Sequence, residues 1–230
     1  MAIARYKDLC IDSGPDETLG RFWAAALGLQ FRADGEAGAL EGTDPSQGVW
    51  MNVVPERKTV KHRVHLDVHC ASVDELVERG ASVLEPQAEH PERGWSVLAD
   101  PEGGEFCAFV REPAKLPDYR LYELVVDCAR PRVVASWWAD VLGADLGARV
   151  DQDWYWLENI LGVPFEGWTF SPVPVPKTVK NRIHWDVLVD SVDDLTAAGA
   201  TLLRGPTEDD AWSILADPEG NEFCAFVSGA

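Results

Sequence analysis

His65 and Asp67 stand two residues apart in the run Arg-Val-His-Leu-Asp-Val, and His184 and Asp186 repeat that spacing in Arg-Ile-His-Trp-Asp-Val. A strand alternates its side chains between two faces, so each His shares a face with its Asp and with the Arg two residues before it. Further along, Glu105 and Glu222 each open the apolar stretch Glu-Phe-Cys-Ala-Phe-Val. A carboxylate at the head of an apolar strand is costly to bury without a cation or a donor beside it. Imidazole and carboxylate together are a kit for holding a divalent ion or for moving protons.

The elements that must position these groups are written twice. Trp95 to Val110 and Trp212 to Val227 agree at fourteen of sixteen positions, and Lys58 to Val68 is matched by Lys177 to Val187. Such internal repetition means duplication and has to be found before a fold is assigned. The boundary falls in the Pro-containing stretch 113–120, which leaves an N-terminal domain over 1–112 and a C-terminal domain over 121–230. In each half a short strand precedes a helix whose apolar residues (Leu19, Phe22, Trp23, Ala26, Leu27; then Val134, Trp137, Trp138, Val141, Leu142) recur at helical spacing. Gly28 and Gly143 stop those helices. Three strand-like stretches follow, then a second strand, a short helix with a Ser72 or Ser191 cap, and three more strands. Each half therefore reads as two βαβββ units. The single helix of a unit covers one sheet face only, so the opposite face, curved into a cup when two units pair, is where function is expected.

Composition narrows the class. A chain of 230 residues with 46% hydrophobic residues and ten Trp can bury a core in each of two domains. The net charge of −19 argues against nucleic acid, whose phosphates require Lys and Arg. No apolar run reaches membrane-spanning length and the first residues lack signal-peptide character, so a cytoplasmic protein with no membrane partner is expected. Five Cys without a CxxC pair point to reduced thiols.

The order of a helix ending Phe-Trp…Leu-Gly, a strand carrying His-x-Asp after a Pro- and Lys-containing loop, and a final Asp-Pro-Glu-Gly-x-Glu-Phe strand resembles the vicinal oxygen chelate superfamily of glyoxalase I, extradiol dioxygenases and bleomycin-resistance proteins. The run Val54 to Val68 is similar to glyoxalase-like domains of actinobacterial type. The resemblance implies an α+β fold of two tandem domains, each of two paired βαβββ modules forming an open, cup-shaped eight-stranded barrel. It also implies a divalent metal (Mn, Mg, Zn or Fe(II)) held by side chains from the first, fifth and eighth strands. Carried over by position, these are Asp8, His65 and Glu105, with Glu123, His184 and Glu222 in the second half. Asn52 and Ser171 fall at the fourth-strand position, where glyoxalase I has a Glu. Without that Glu the base of the glyoxalase reaction has no occupant, and glyoxalase I activity itself is not expected.

Substrate contacts are expected from Trp50, Asn52, Trp154, Trp156, Trp168 and Ser171 on strands that should line the cups. Two functions fit these residues. One is a metal-dependent lyase, isomerase or oxygenase acting on a small oxygen-rich metabolite. The other is a metal-free protein of the bleomycin-resistance kind that sequesters an aromatic or cationic compound, for which the Trp content and negative charge speak. The tandem fusion supplies covalently the pairing that single-domain relatives obtain by dimerising, so a monomer or a homodimer is expected.

Overall fold

A computed structural model describes residues 2–34, 37–208 and 210–228. It contains the four βαβββ modules. The first has β1 (Ala4–Ser13), α1 (Thr18–Leu27), β2 (Gln30–Asp34), β3 (Ala37–Glu41) and β4 (Val49–Val53). The second has β5 (Val64–Cys70), α2 (Val73–Glu78), β6 (Ser82–Glu85), β7 (Ser96–Ala99) and β8 (Glu105–Val110). The third has β9 (Leu121–Cys128), α3 (Pro131–Leu142), β10 (Asp145–Arg149), β11 (Trp154–Glu158) and β12 (Gly167–Pro172). The fourth has β13 (Ile183–Val189), α4 (Val192–Ala197), β14 (Thr201–Arg204), β15 (Ser213–Ala216) and β16 (Glu222–Val227).

The repeat by itself does not say which modules pair. The first joins the fourth in a sheet ordered β14-β15-β16-β13-β1-β4-β3-β2, and the second joins the third in a sheet ordered β10-β11-β12-β9-β5-β8-β7-β6. Each open, cup-like sheet thus takes one module from each sequence half, through the antiparallel seams β1·β13 and β5·β9. The concave face of the first sheet is cup A, and that of the second is cup B.

Behind the cups lies one continuous apolar core. Trp138 of α3 packs on Trp168, Trp185 and Phe223 with ring centroids 5.3, 5.2 and 5.0 Å away. In the first half Phe22, Trp23 and Phe106 form the matching cluster. The two long helices, α1 and α3, end at left-handed glycines, Gly28 and Gly143. Gly28 has φ 72°, and a Cβ there would lie 2.0 Å from the Asp118 carbonyl oxygen, so only Gly fits.

The repeated Asp-Pro-Glu-Gly turn ties each half together. Asp100 accepts from the Glu102 and Gly104 amides and from the Trp23 indole, and Asp217 does the same for Glu219, Asn221 and Trp138. Glu102 accepts from the Gly14 amide, and Glu219 from the amides of Ala129 and Arg130. Each turn thereby fastens its own sheet to the helix or loop of the neighbouring one.

One polar difference between the repeats has a partner. A Cβ on Gly104 would lie 2.5 Å from His62 Cε1 and 2.6 Å from Asp100 Oδ2. In the second half Asn221 occupies that place, and Asn181 replaces the ring of His62. Asn181 Nδ2 donates to Asn221 Oδ1 at 3.0 Å and Asn221 Nδ2 donates to Asp217 Oδ2 at 2.8 Å. Gly104→Asn alone is therefore expected to cost about 1–3 kcal/mol through overpacking, and adding His62→Asn should recover most of it in denaturant unfolding. A double variant no more stable than the single one would show that the two positions are not coupled.

Candidate functional site

Each seam brings together a carboxyl pair. In cup B both members line the cavity, whereas in cup A Asp186 lines it and Asp8 lies beside it behind Lys7 and Trp50. Asp8 on β1 lies opposite Asp186 on β13, and Glu123 on β9 lies opposite Asp67 on β5. On the next strands Cys224 pairs in register with Asp186, and Cys107 with Asp67. The row acid, acid, thiol is thus built twice from three adjacent strands.

Both seams carry a β-bulge at the same place. Tyr6 opposes Val187 and Asp8 opposes Asp186, which leaves Lys7 as the extra residue; Leu121 opposes Val68 and Glu123 opposes Asp67, which leaves Tyr122. A bulge re-aims side chains. Along β1 the buried apolar residues accordingly step from Tyr6 to Leu9, and along β9 from Leu121 to Leu124. Lys7 lines cup A and Tyr122 lines cup B.

Cup A is a cavity of about 470 Å³ walled by Trp50, Trp212, Ile214 and Phe226. The Lys7 ammonium lies 2.6 Å from Asp8 Oδ2, 3.9 Å from Asp186 Oδ2 and 4.4 Å from the Phe226 ring centroid. Asp8 Oδ2 also accepts from the Trp50 indole at 3.1 Å. Cys10 Sγ donates to Asp186 Oδ1 at 3.6 Å, and His184 Nε2 lies 4.0 Å from that oxygen. Burial first, and then the charge of Asp8, push the Asp186 carboxyl up to about 8. Burial drives His184 down to about 3, so its ring is neutral.

Cup B is roomier, about 650 Å³, with Trp95, Phe109, Tyr122 and Trp154 in its wall. His65 Nε2 lies 3.4 Å from Asp67 Oδ1, an oxygen that is buried without a hydrogen-bond partner among the described residues. Burial and then Glu123 raise Asp67 well above the ordinary carboxyl range. Glu123 accepts from Thr169 Oγ1 at 3.0 Å and is itself raised by burial. No ammonium or guanidinium is paired with Asp67 or Glu123 among the described residues. His65 is lowered by burial and is available as a neutral ligand or base.

The residues singled out by the sequence divide between the cups. Asp8, His184 and Glu222 belong to the sheet of cup A, and Glu123, His65 and Glu105 to that of cup B. Asp8 therefore cannot converge with His65 and Glu105, as simple counting within one half would have it, because its module pairs across the halves. Glu105 has both oxygens engaged, with Lys58 Nζ at 2.8 Å and the His62 amide at 2.9 Å. Glu222 is held in the same way by Lys177 at 2.6 Å and the Asn181 amide at 3.1 Å. These glutamates anchor the basic loops. The donor atoms lying within 4.8 Å of one another are instead those of His65, Asp67 and Cys107, and of Cys10, His184 and Asp186. Asp67 and Asp186 lie two residues beyond His65 and His184, Cys107 two beyond Glu105 and Cys10 two beyond Asp8, so a period of two along each strand signals these neighbours in the sequence.

Trp50 and Asn52 line cup A, and Trp154 and Ser171 line cup B. Trp156 covers Gly147 and donates to Glu158 at 2.8 Å, outside the cavity lining. Trp168, at 0% exposure in the Trp138 cluster, cannot touch a ligand. Its strand also presents Ser171, three residues on, and residues an odd number apart face opposite ways.

The donor sets fit a divalent ion unequally. Both cups have a buried carboxyl oxygen without a hydrogen-bond partner among the described residues, Asp8 Oδ1 and Asp67 Oδ1, and a neutral imidazole, but in cup B no ammonium stands at the acid pair. In cup A the Lys7 ammonium already supplies a positive charge, and a second cation would be repelled by it.

A family model described as a glyoxalase-like domain matches residues 8–109 and, again, residues 123–226. No curated protein matches. Among solved structures, glyoxalase I from Zea mays aligns with a TM-score of 0.68 at 15% identity, covering 97% of this chain and 92% of that one. The cppA protein from Streptococcus pneumoniae TIGR4 aligns with a TM-score of 0.52 at 8% identity, covering 98% of each chain. At these identities the likeness establishes the fold. No helix among the described residues is long and apolar enough to cross a membrane.

The Asp186 carboxyl gives a signed pH prediction. Its folded pKa is raised, so the stability it contributes is complete below about pH 4 and is lost as pH rises towards about 8. Asp186→Asn should flatten the wild-type decline of unfolding free energy across that window. Equal slopes for the two proteins would contradict the assignment.

Proposed function

This chain belongs to the glyoxalase-like domain family, and from that premise we propose that it is a divalent-metal-dependent enzyme of the lyase, isomerase or oxygenase kind, acting on a small oxygen-rich molecule in cup B. One observation carries the reading. Cup B has the acid pair of cup A without the internal cation, because Tyr122 stands where Lys7 stands.

His65, Asp67 and Glu123 would hold the ion, with the Cys107 thiol beside them. Bound there, a divalent ion supplies Lewis acidity that polarises a ligand offering two oxygens. The chain's own residues do the rest. Trp95, Phe109 and Trp154 give a flat substrate an apolar wall and exclude water. Thr169 orients Glu123 through its hydroxyl. The buried Asp127 accepts from Lys61 at 2.9 Å and from Ser171 Oγ at 2.8 Å, which positions two side chains that line the cup.

Cup A supports the metal-free binding role. Its ammonium is tethered, its acid pair is met by Lys7, and its wall is largely aromatic. The two cups of the duplicated chain are accordingly assigned different work.

Equilibrium dialysis against manganese or zinc, read by elemental analysis, tests this division. One equivalent per chain is expected, weakened by about 10–100-fold or more in His65→Ala and Asp67→Asn and retained in His184→Ala. Tyr122→Lys, which places an ammonium at the bulge of cup B, should likewise abolish binding. Retention of metal by Asp67→Asn, or its loss in His184→Ala, would overturn the assignment to cup B.

A further inference from the structure

A group of basic residues of this acidic chain converges on a space outside the two cups. Arg57, Lys58, Lys61, Arg63, Lys180 and Arg182 line one cavity of about 420 Å³ between the two cups, accompanied by only two carboxylates, Asp12 and Glu56. Six of the twenty Lys and Arg of a chain with net charge −19 thus face one space. It is formed where the repeated Lys-Thr-Val-Lys loops of the two halves meet, and Lys61 and Lys180 are walls that it shares with cups B and A.

Most of these cations are balanced from behind. Lys58 pairs with Glu105, Lys61 with Asp127, Lys180 with Asp12 and Arg182 with Glu102. Two guanidiniums are not. Arg63 Nη2 donates only to the carbonyls of Val175 and Pro176, at 2.7 and 3.2 Å, which satisfies its geometry without neutralising its charge. Arg57 is exposed and has no ion-pair partner among the described residues. His62 lines the same cavity with both ring nitrogens lacking a hydrogen-bond partner among the described residues. Against Arg57 and Arg63 stands the single carboxylate of Glu56, so the unbalanced charge of the cavity is positive.

We propose that this inter-cup cavity is a binding site for a small multivalent oxyanion, received by the guanidinium fork of Arg57 and attracted by the unneutralised charge of Arg63. Arginine presents paired N–H donors that match two oxygens of a phosphate or carboxylate, which is why the free fork of Arg57, with a second positive charge on Arg63, selects this chemistry over a halide. The site is independent of any metal in cup B, since none of the acid, imidazole or thiol groups on that floor lines it.

The test is isothermal titration of the full chain with inorganic pyrophosphate and, separately, with citrate, against chloride at matched ionic strength. Saturable binding of pyrophosphate or citrate is expected, weakened about tenfold or more by Arg57→Ala, the loss of a charge-assisted bidentate contact. Arg57→Lys should recover part of that loss, and the thermal midpoint of Arg57→Ala should match that of the parent, because the side chain is exposed and unpaired. Binding of pyrophosphate alone identifies a phosphate-bearing ligand, and binding of both identifies a general oxyanion site. Absence of saturable binding by either anion, equal binding by chloride, or binding unchanged in Arg57→Ala would overturn the proposal.

Discussion

The antiparallel seam between a first-strand module and a fifth-strand module is the constraint on which this molecule depends. It sets Asp8 against Asp186 and Glu123 against Asp67, and it does so only because the first module pairs with the fourth and the second with the third. Two acids placed face to face at a buried seam cannot both ionise at ordinary cost. Each cup must therefore hold a proton, a tethered cation or a bound one. The bulge in each seam decides which, since it turns one additional side chain toward the floor: an ammonium in cup A, a phenol in cup B.

The most repetitive part of the sequence serves a different purpose. The Asp-Pro-Glu-Gly turn looks like a signature of chemistry, yet its Asp closes the turn and accepts from a helix Trp, and its Glu accepts from the loop after the first strand. Those contacts join the two sheets within each half, while the seams join the halves within each sheet. The two sets of bonds cross-link four modules into a single core, so a turn loosened in one half would disturb the floor of a cup that draws on the other. At the His62–Gly104 and Asn181–Asn221 positions the two halves differ as a pair, with a ring against a glycine in one and two bonded amides in the other.

Much of the fold was legible in the sequence. The duplication, the helical spacing around Phe22-Trp23 and Trp137-Trp138, the terminal glycines and the Ser72 and Ser191 caps mark elements through local chemistry, which a linear reading detects. Three features were not local. Which modules pair depends on long-range strand register, and this separated Asp8 from His65. The bulges at Lys7 and Tyr122 break the period of two, so a strict alternation that puts Asp8 on the cup face hides Lys7. The engagement of Glu105 and Glu222 with Lys58 and Lys177 required the path of the basic loops. Trp168 is a different case: its odd spacing from Ser171 already placed it on the core face.

The duplication thus produced two cups with a carboxyl pair at each seam and opposite solutions to its charge, and the central claim is that only one of them takes a metal. Anomalous diffraction from crystals of the full chain grown with manganese tests that claim most directly. A single anomalous peak beside His65 and Asp67, with none beside His184 and Asp186, is the predicted result. A peak in cup A, or none in either cup at saturating manganese, would contradict the account.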